Sequence, residues 1–331
     1  MTNKLKEIKP LVIGMGLAGN RHLEAQLSLG IKTGVYNINP EKTKYLKKNP
    51  DVIVFDNLEE ALGWFNLLHV CTPDDKHTQF VALALKLGKA VLCEKPLTTN
   101  LKEALYLQDL AHKHNATLIV GQNYRLTPTF MESRKRVLEG KLGTITGIQT
   151  TYLHDMTEYR LENTWRKNQD FLYVDGSHAV DLACFVINDS VVSVQAAFGN
   201  KIRKEYDSQE RYHIILKFAS GILGHIKLDA SSARPINGTD LIIDAELGQL
   251  VSHNKINKLL VYKKGDNEPK FIQLPNNQTL TTALEVKIIN EYLLGKRNSY
   301  WPLPQVNEAV NTIKILDAIQ KSAFSGNKIS I

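Results

Sequence analysis

Two hydrophobic periods divide the chain. Up to residue 120, short runs that are apolar on both faces recur: Leu11-Val12-Ile13, Gly34-Val35-Tyr36, Val52-Ile53-Val54, Leu67-Leu68-His69-Val70, Val91-Leu92-Cys93 and Thr117-Leu118-Ile119-Val120. The stretches between them predict helices over 20–29, 58–65, 74–87 and 101–114, and in the third Phe80, Leu83, Ala84 and Leu87 share one face. Doubly buried strands alternating with helices imply a parallel sheet covered on both sides. Right-handed crossovers then bring every strand's carboxyl end to one edge.

After Tyr124 the pattern changes. Helices are predicted over 128–138 and 175–187, with a strand at 145–153 between them. From Val191 an alternation of period two takes over. Tyr212, Ile214, Leu216 and Phe218 face one way, Ser220-Gly221 turns the chain, and Ile222, Ile226 and Leu228 return. Segments 241–245, 259–262 and 271–274 continue the series, and helices over 281–294 and 305–322 close it. The expected fold is α/β, with an N-terminal doubly wound parallel sheet of the Rossmann kind over residues 1–123. A C-terminal α+β domain over 124–331 is expected on a large mixed, mostly antiparallel sheet. A helix at Lys42, Lys44, Lys47 and Lys48 is expected to carry a solvated basic face.

The first strand runs directly into Gly14-Met15-Gly16-Leu17-Ala18-Gly19. Gly14 permits a tight turn, Gly16 lets a pyrophosphate approach the backbone, and Gly19 lets the helix pack close to the strand. Helix-start N–H groups then face the phosphates. After the second strand stands Asn37, where an NAD-specific site usually has a carboxylate. Asparagine can bind a ribose but repels no 2′-phosphate, so the cofactor is expected to be NAD or NADP. The run Val91-Leu92-Cys93-Glu94-Lys95-Pro96-Leu97 ends a buried strand in a carboxylate, an ammonium and a proline. Pro96 stops the strand and holds Lys95 on a fixed piece of chain, at the sheet edge where ligands bind.

Size and composition narrow the function class. With 331 residues and 43% hydrophobic content, two domains are expected. No apolar run is long enough to span a bilayer, and Met1-Thr2-Asn3-Lys4-Leu5-Lys6-Glu7 lacks the apolar stretch of a secretory signal, so a cytoplasmic chain is expected. Three cysteines, Cys71, Cys93 and Cys184, sit in apolar surroundings without histidines at zinc spacing, and no metal is expected. The net charge of +7 is scattered and lacks interleaved aromatics, which argues against nucleic acid.

Taken in order, VIGMGLAGNRH at 12–22, CTPDDKH at 71–77, VLCEKPL at 91–97, NYRLTP at 123–128, and WR at 165–166 followed by DGSHAVD at 175–181 resemble the glucose-fructose oxidoreductase and inositol dehydrogenase group, the Gfo/Idh/MocA family. The resemblance implies that Gly14, Met15, Gly16, Leu17, Ala18 and Gly19 hold the dinucleotide, with Asn37, Thr72, Pro73, His77, Glu94 and Asn123 beside it. It implies that Lys95 sits between nicotinamide and substrate and that Trp165 and Arg166 contact the nicotinamide end. His178 falls at the family's catalytic histidine. Family members commonly show glycines and then an Asp four residues before that histidine. Here the glycine positions read Asn168-Gln169-Asp170, Val174 holds the place of the Asp, and Asp175 lies three before. Asp175 can reach the same hydrogen bond or serve as a helix N-cap.

These expectations converge on hydride transfer between a nicotinamide and a carbinol carbon of a sugar, cyclitol or sugar derivative. His178 would act as base, Lys95 as donor to the developing alkoxide or as a relay, and Asp175 or a neighbouring carboxylate would orient the imidazole. A homo-oligomer, dimer or tetramer, is implied by the resemblance. Two other classes remain open: a redox-neutral enzyme with tightly held NAD, of epimerase or glycoside-cleaving type, and a non-catalytic dinucleotide sensor. Among oxidoreductases, reduction of a double bond or a diol in a non-sugar substrate stands second. Specificity is expected from the loop 155–170 and the sheet face of the second domain, with residues such as His154, Tyr159 and Arg160.

Overall fold

The computed structural model of the chain describes residues 6–156, 169–203, 206–233, 238–275 and 281–331. It divides into two compact units, 1–123 with 279–311, and 124–278 with 312–331. The first unit is therefore built from two separate lengths of chain.

In the first unit, the apolar runs form β1 (Pro10–Ile13), β2 (Thr33–Tyr36), β3 (Val52–Val54), β4 (Leu67–Val70), β5 (Ala90–Glu94) and β6 (Leu118–Gly121). They pair in the order β3-β2-β1-β4-β5-β6. Every pairing is parallel. The order reverses between β1 and β4, the switch point at which such sheets bind ligands. The connecting helices are α1 (Leu17–Ser28), α2 (Leu58–Leu62), α3 (His77–Lys86) and α4 (Leu101–Lys113). Side chains fix their starts: Asn57 Oδ1 accepts from Glu60 N at 2.9 Å and Asn100 Oδ1 from Glu103 N at 2.9 Å. The basic stretch expected to be a helix near residue 42 is instead two 3₁₀ turns, Pro40–Lys42 and Lys44–Lys48. Pro40 and the capping Asn39 favour a tight local turn, and Leu46 is the only buried side chain in these turns, too little to anchor an amphipathic helix.

The second unit is organised on a nine-stranded sheet. Its strands are β7 (Ile145–Leu153), β8 (Val191–Phe198), β9 (Arg211–Phe218), β10 (Leu223–Asp229), β11 (Asp240–Ala245), β12 (Gly248–His253), β13 (Ile256–Lys263), β14 (Lys270–Gln273) and β15 (Ile329–Ser330). The order is β14-β13-β12-β11-β7-β10-β9-β8-β15, with only β7 and β10 parallel. Alternation decides the faces. Tyr212, Ile214, Leu216 and Phe218 are buried, whereas His213 and Ile215 are exposed. Helices α5 (Pro128–Leu138), α6 (Phe171–Val174) and α7 (Gly176–Ile187) belong to this unit, and α5 and α7 pack on the sheet.

The last two helices are α8 (Thr281–Leu293), in the first unit, and α9 (Val306–Ser325), whose first residues fall in the first unit and the rest in the second. No helix among the described residues is long and apolar enough to cross a membrane.

Candidate active site

The parallel register aligns the chemistry of the first unit. Ile13 pairs with Tyr36 and with Val70, Val70 with Cys93, and Glu94 with Gly121. The residues that follow those strand ends, Gly14, Asn37, Thr72, Lys95 and Asn123, therefore emerge along one edge. Every dinucleotide-site residue expected before position 124 lies there or on the helices that start there.

The glycine turn fits a dinucleotide by its local geometry. Gly14 has φ +90°, and a Cβ on it would meet the Cys71 carbonyl oxygen at 2.6 Å. A Cβ on Gly19 would collide with the Gly14 carbonyl oxygen, so the close crossing of helix over strand requires both glycines. Gly16 differs: nothing lies within 4 Å of the Cβ it lacks. That open space is where a phosphate can approach the backbone. No side chain caps α1 and its first turn carries no acid, which leaves the helix's amino end available to an anion. Asn37 Oδ1 accepts from Met15 N at 3.0 Å and so holds the turn in shape. Thr72 Oγ1 and Asn123 Oδ1 are buried and have no hydrogen-bond partner among the described residues. These are polar atoms at the ligand edge that a bound group could satisfy.

His77 joins two loops of this edge. It is buried at the start of α3, with Nδ1 2.8 Å from the Pro96 carbonyl oxygen and Nε2 3.0 Å from that of Thr72. The ring fastens the loop after β4 to the loop after β5. The Lys95–Pro96 peptide bond is cis.

Glu94 is partly buried beside Lys95, and its Oε1 accepts from His22 Nε2 at 3.0 Å. Burial pushes this carboxyl up, but the hydrogen bond and attraction of His22, followed by the charges of Lys95 and His77, outweigh it and hold Glu94 below the usual carboxylate range. Glu285 of α8 goes the other way. It is 1% exposed, and burial together with the charge of Glu94 drives its carboxyl well above the ordinary value. The Cys71 and Cys93 thiols are likewise raised, chiefly by burial, and stay protonated.

In the second unit, His178 lies in the first turn of α7, buried against two tyrosines. The Tyr124 ring stacks on it at 4.3 Å between centroids and 21° between planes, and the Tyr152 ring is nearly parallel at 6.0 Å. Burial pushes the Tyr124 hydroxyl up to about 12, so it keeps its proton at neutral pH. Asp175 occupies the N-cap position of α7 without a capping hydrogen bond, and its Oδ1 accepts from the Tyr152 hydroxyl at 3.2 Å. The helix-capping alternative for its side chain is thereby set aside. Asp170, at one of the positions where the family resemblance leads one to expect glycine, caps α6 by accepting from Leu172 N at 2.9 Å. The DGSHAVD and NYRLTP pieces are joined by a buried fork: Arg125 Nε and Nη2 donate to Asp181 at 2.8 and 2.7 Å. Trp165 and Arg166, with Tyr159 and Arg160, lie outside the described residues.

Sequence reasoning does not single out His22, Gln26, His69, Glu285 and Asn290, nor Tyr124 and Tyr152 as partners of the histidine. A signal is present for His69, a polar residue in the otherwise apolar strand Leu67-Leu68-His69-Val70. His22 and Gln26, four apart, share one helical face with it only once the fold is known.

Residues 8–122 match an oxidoreductase family with an NAD-binding Rossmann fold, and residues 130–251 match the GFO/IDH/MocA C-terminal domain. Glucose-6-phosphate 3-dehydrogenase of Bacillus subtilis (strain 168) is 26% identical over 208 residues, which cover 60% of this chain and only 59% of that enzyme. Inositol 2-dehydrogenase of Rhizobium meliloti (strain 1021) is 25% identical over 281 residues, 82% of each chain. Among solved structures, the WlbA dehydrogenase from Bordetella pertussis, crystallised with NADH and UDP-GlcNAcA, superposes with a TM-score of 0.86 at 19% identity, covering 100% of this chain and 99% of that one. At that identity the likeness is one of fold.

Proposed function

The chain belongs to the Gfo/Idh/MocA family of oxidoreductases and carries its NAD-binding Rossmann domain, and from this premise we propose that it transfers a hydride between the nicotinamide of NAD or NADP and a carbinol carbon of a sugar, cyclitol or sugar derivative. The observation that carries the reading is Lys95, set directly after the end of β5 on the same strand-end edge as the glycine turn and next to an ionised Glu94.

When bound, the nicotinamide supplies the hydride acceptor or donor. Everything else falls to the chain. Loss of hydride from a C–H–OH group requires that the hydroxyl proton leave as well, so a base must reach that oxygen. His178 takes this proton, its ring held flat by Tyr124 and Tyr152. Asp175, which accepts from the Tyr152 hydroxyl, positions that stack. The Lys95 ammonium donates to the same oxygen and stabilises the developing alkoxide. Gly14, Met15, Gly16, Leu17, Ala18 and Gly19 present backbone to the pyrophosphate, with Thr72, Pro73 and Asn123 alongside.

The open face of the large sheet supports a homo-oligomer. Ile215, Leu223, Tyr262 and Phe271 are exposed on it, an apolar set suited to a second copy. Buried, unpaired Cys71 and Cys93 suit a reducing cytoplasm.

The test is a spectrophotometric screen for reduced nicotinamide over sugars, polyols and nucleotide sugars, with NAD and NADP separately. Turnover that Lys95→Met and His178→Ala each lower by about 10²-fold or more is the expected result. Cofactor that survives purification with no net reduction would favour the redox-neutral class. Binding without any function that depends on Lys95 would favour a sensor.

A further inference from the structure

The dinucleotide-binding unit buries a continuous chain of polar side chains that the mechanism above does not use. It starts on α8, where Asn290 Nδ2 donates to Gln26 Oε1 at 2.7 Å and Gln26 Nε2 donates back to Asn290 Oδ1 at 3.3 Å. Gln26 Nε2 also lies 2.9 Å from His69 Nε2, His69 Nδ1 lies 2.8 Å from His22 Nδ1, and His22 Nε2 reaches Glu94 Oε1 at 3.0 Å. His22, Gln26 and His69 have no exposed surface at all.

Proton counting gives the chain a direction. An amide nitrogen can only donate, so the His69 Nε2 it faces is bare. A neutral imidazole carries its single N–H on the other nitrogen, so His69 Nδ1 donates to His22 Nδ1. That nitrogen is then bare too, and the hydrogen of His22 sits on Nε2, aimed at the Glu94 carboxylate. Every hydrogen bond from Gln26 onward therefore points towards Glu94. The depressed basicity of His69, caused by burial and then by His22, agrees with a neutral ring.

A core that served packing alone would fill these positions with apolar side chains, since buried polar groups cost free energy unless fully paired. The end that the chain serves is the residue next to Lys95. Glu285, whose carboxyl burial and the charge of Glu94 drive well above its ordinary value, lies with both oxygens 3.7 Å from the Cβ position of Gly121, the residue paired with Glu94 in the sheet.

We propose that His22 is a positioning residue for the hydride-transfer reaction: as the last donor of the buried chain Asn290–Gln26–His69–His22, it fixes the Glu94 carboxylate and thereby the piece of chain on which Lys95 stands. The inference rests on the proposed role of Lys95. It links α1, the helix that opens at the glycine turn, through side chains to the residue that precedes the lysine.

Two measurements test it. Histidine side-chain ¹H–¹⁵N spectra of the wild type, assigned with His22→Gln and His69→Gln, are expected to show the Nε2–H tautomer for His22 and the Nδ1–H tautomer for His69, with and without NAD. The opposite tautomers, or an imidazolium at His69, overturn the proposal. In kinetics, His22→Leu is expected to lower kcat by about tenfold or more with KM and the NAD dissociation constant within about twofold, and His22→Gln, whose amide restores a donor, to recover most of the loss. Equal losses in both variants, or a loss confined to NAD binding, overturn it. A wild type that turns over no substrate in the screen defeats the hydride-transfer reading instead. In that case, or if His22→Leu does not fold, the tautomer spectra alone decide whether the chain points at Glu94.

Discussion

Lys95 and His178 are both legible as single letters in context: a lysine after a buried strand and before a proline, and a histidine inside DGSHAVD. Replacing either by a residue that cannot exchange a proton, Lys95→Met or His178→Ala, is expected to lower kcat by about 10²–10⁴-fold. Dinucleotide affinity, measured by fluorescence titration, is expected to change little. Near-wild-type turnover in both variants would refute their roles. The buried partners are not legible, because each is defined by a neighbour distant in sequence: Glu94 by His22, and Glu285 by Glu94. Glu285 carries a pH prediction of definite sign. Its carboxyl is raised in the folded chain above its ordinary 4.5, so its contribution to stability is whole below that value and is lost as pH rises from there through the folded one. Glu285→Gln removes this loss. The difference in Tm between variant and wild type is expected to move in the variant's favour from pH 5 to pH 8, read by thermal scans at matched ionic strength. A difference that stays constant with pH would show that Glu285 does not titrate between the two states.

At the scale of elements, the hydrophobic period locates the strands and most helices, since a doubly buried run has little choice of partner. The ends are less legible. The expected start of the first helix at Asn20 lies three positions after the observed start at Leu17, because the glycine turn tightens straight into helix with Gly16 as the half-in residue. The lysine-rich stretch at 40–48 shows the reverse error, where composition suggests a helix that no buried face supports. The open amino end of α1 makes its own prediction. Gly16 has φ −88° and no neighbour around its absent Cβ, so Gly16→Asp is expected to fold with a Tm near wild type. A carboxylate placed where the phosphate approaches is expected to weaken NAD binding by about tenfold or more, read by calorimetry. Unchanged affinity would place the pyrophosphate elsewhere.

At the scale of the whole chain, alternation along β9 and β10 announces a sheet with one covered and one open face. In the proposed homo-oligomer a second copy covers that open face, and a single sequence does not spell out such a contact. Ile215 stands across from His225 there, and the His213 and His225 rings stack at 5.7 Å. Ile215→Asp is expected to shift sedimentation or light scattering towards monomer while leaving the far-ultraviolet circular dichroism unchanged. A wild type that is itself monomeric, or a variant that keeps the wild-type mass, would overturn the proposed contact on this face.

The return of residues 279–311 to the first unit bears on how that unit can be handled in isolation. A fragment cut after Asn123 would lack α8, and with it the buried Val286 and Ile289 and the amide that closes on Gln26. Such a fragment would expose an apolar seam and collect aggregates. A shortened chain in which a linker leads from 123 directly to 279 would keep α8 and the seam it covers, and it offers a piece in which nucleotide affinity can be measured on its own.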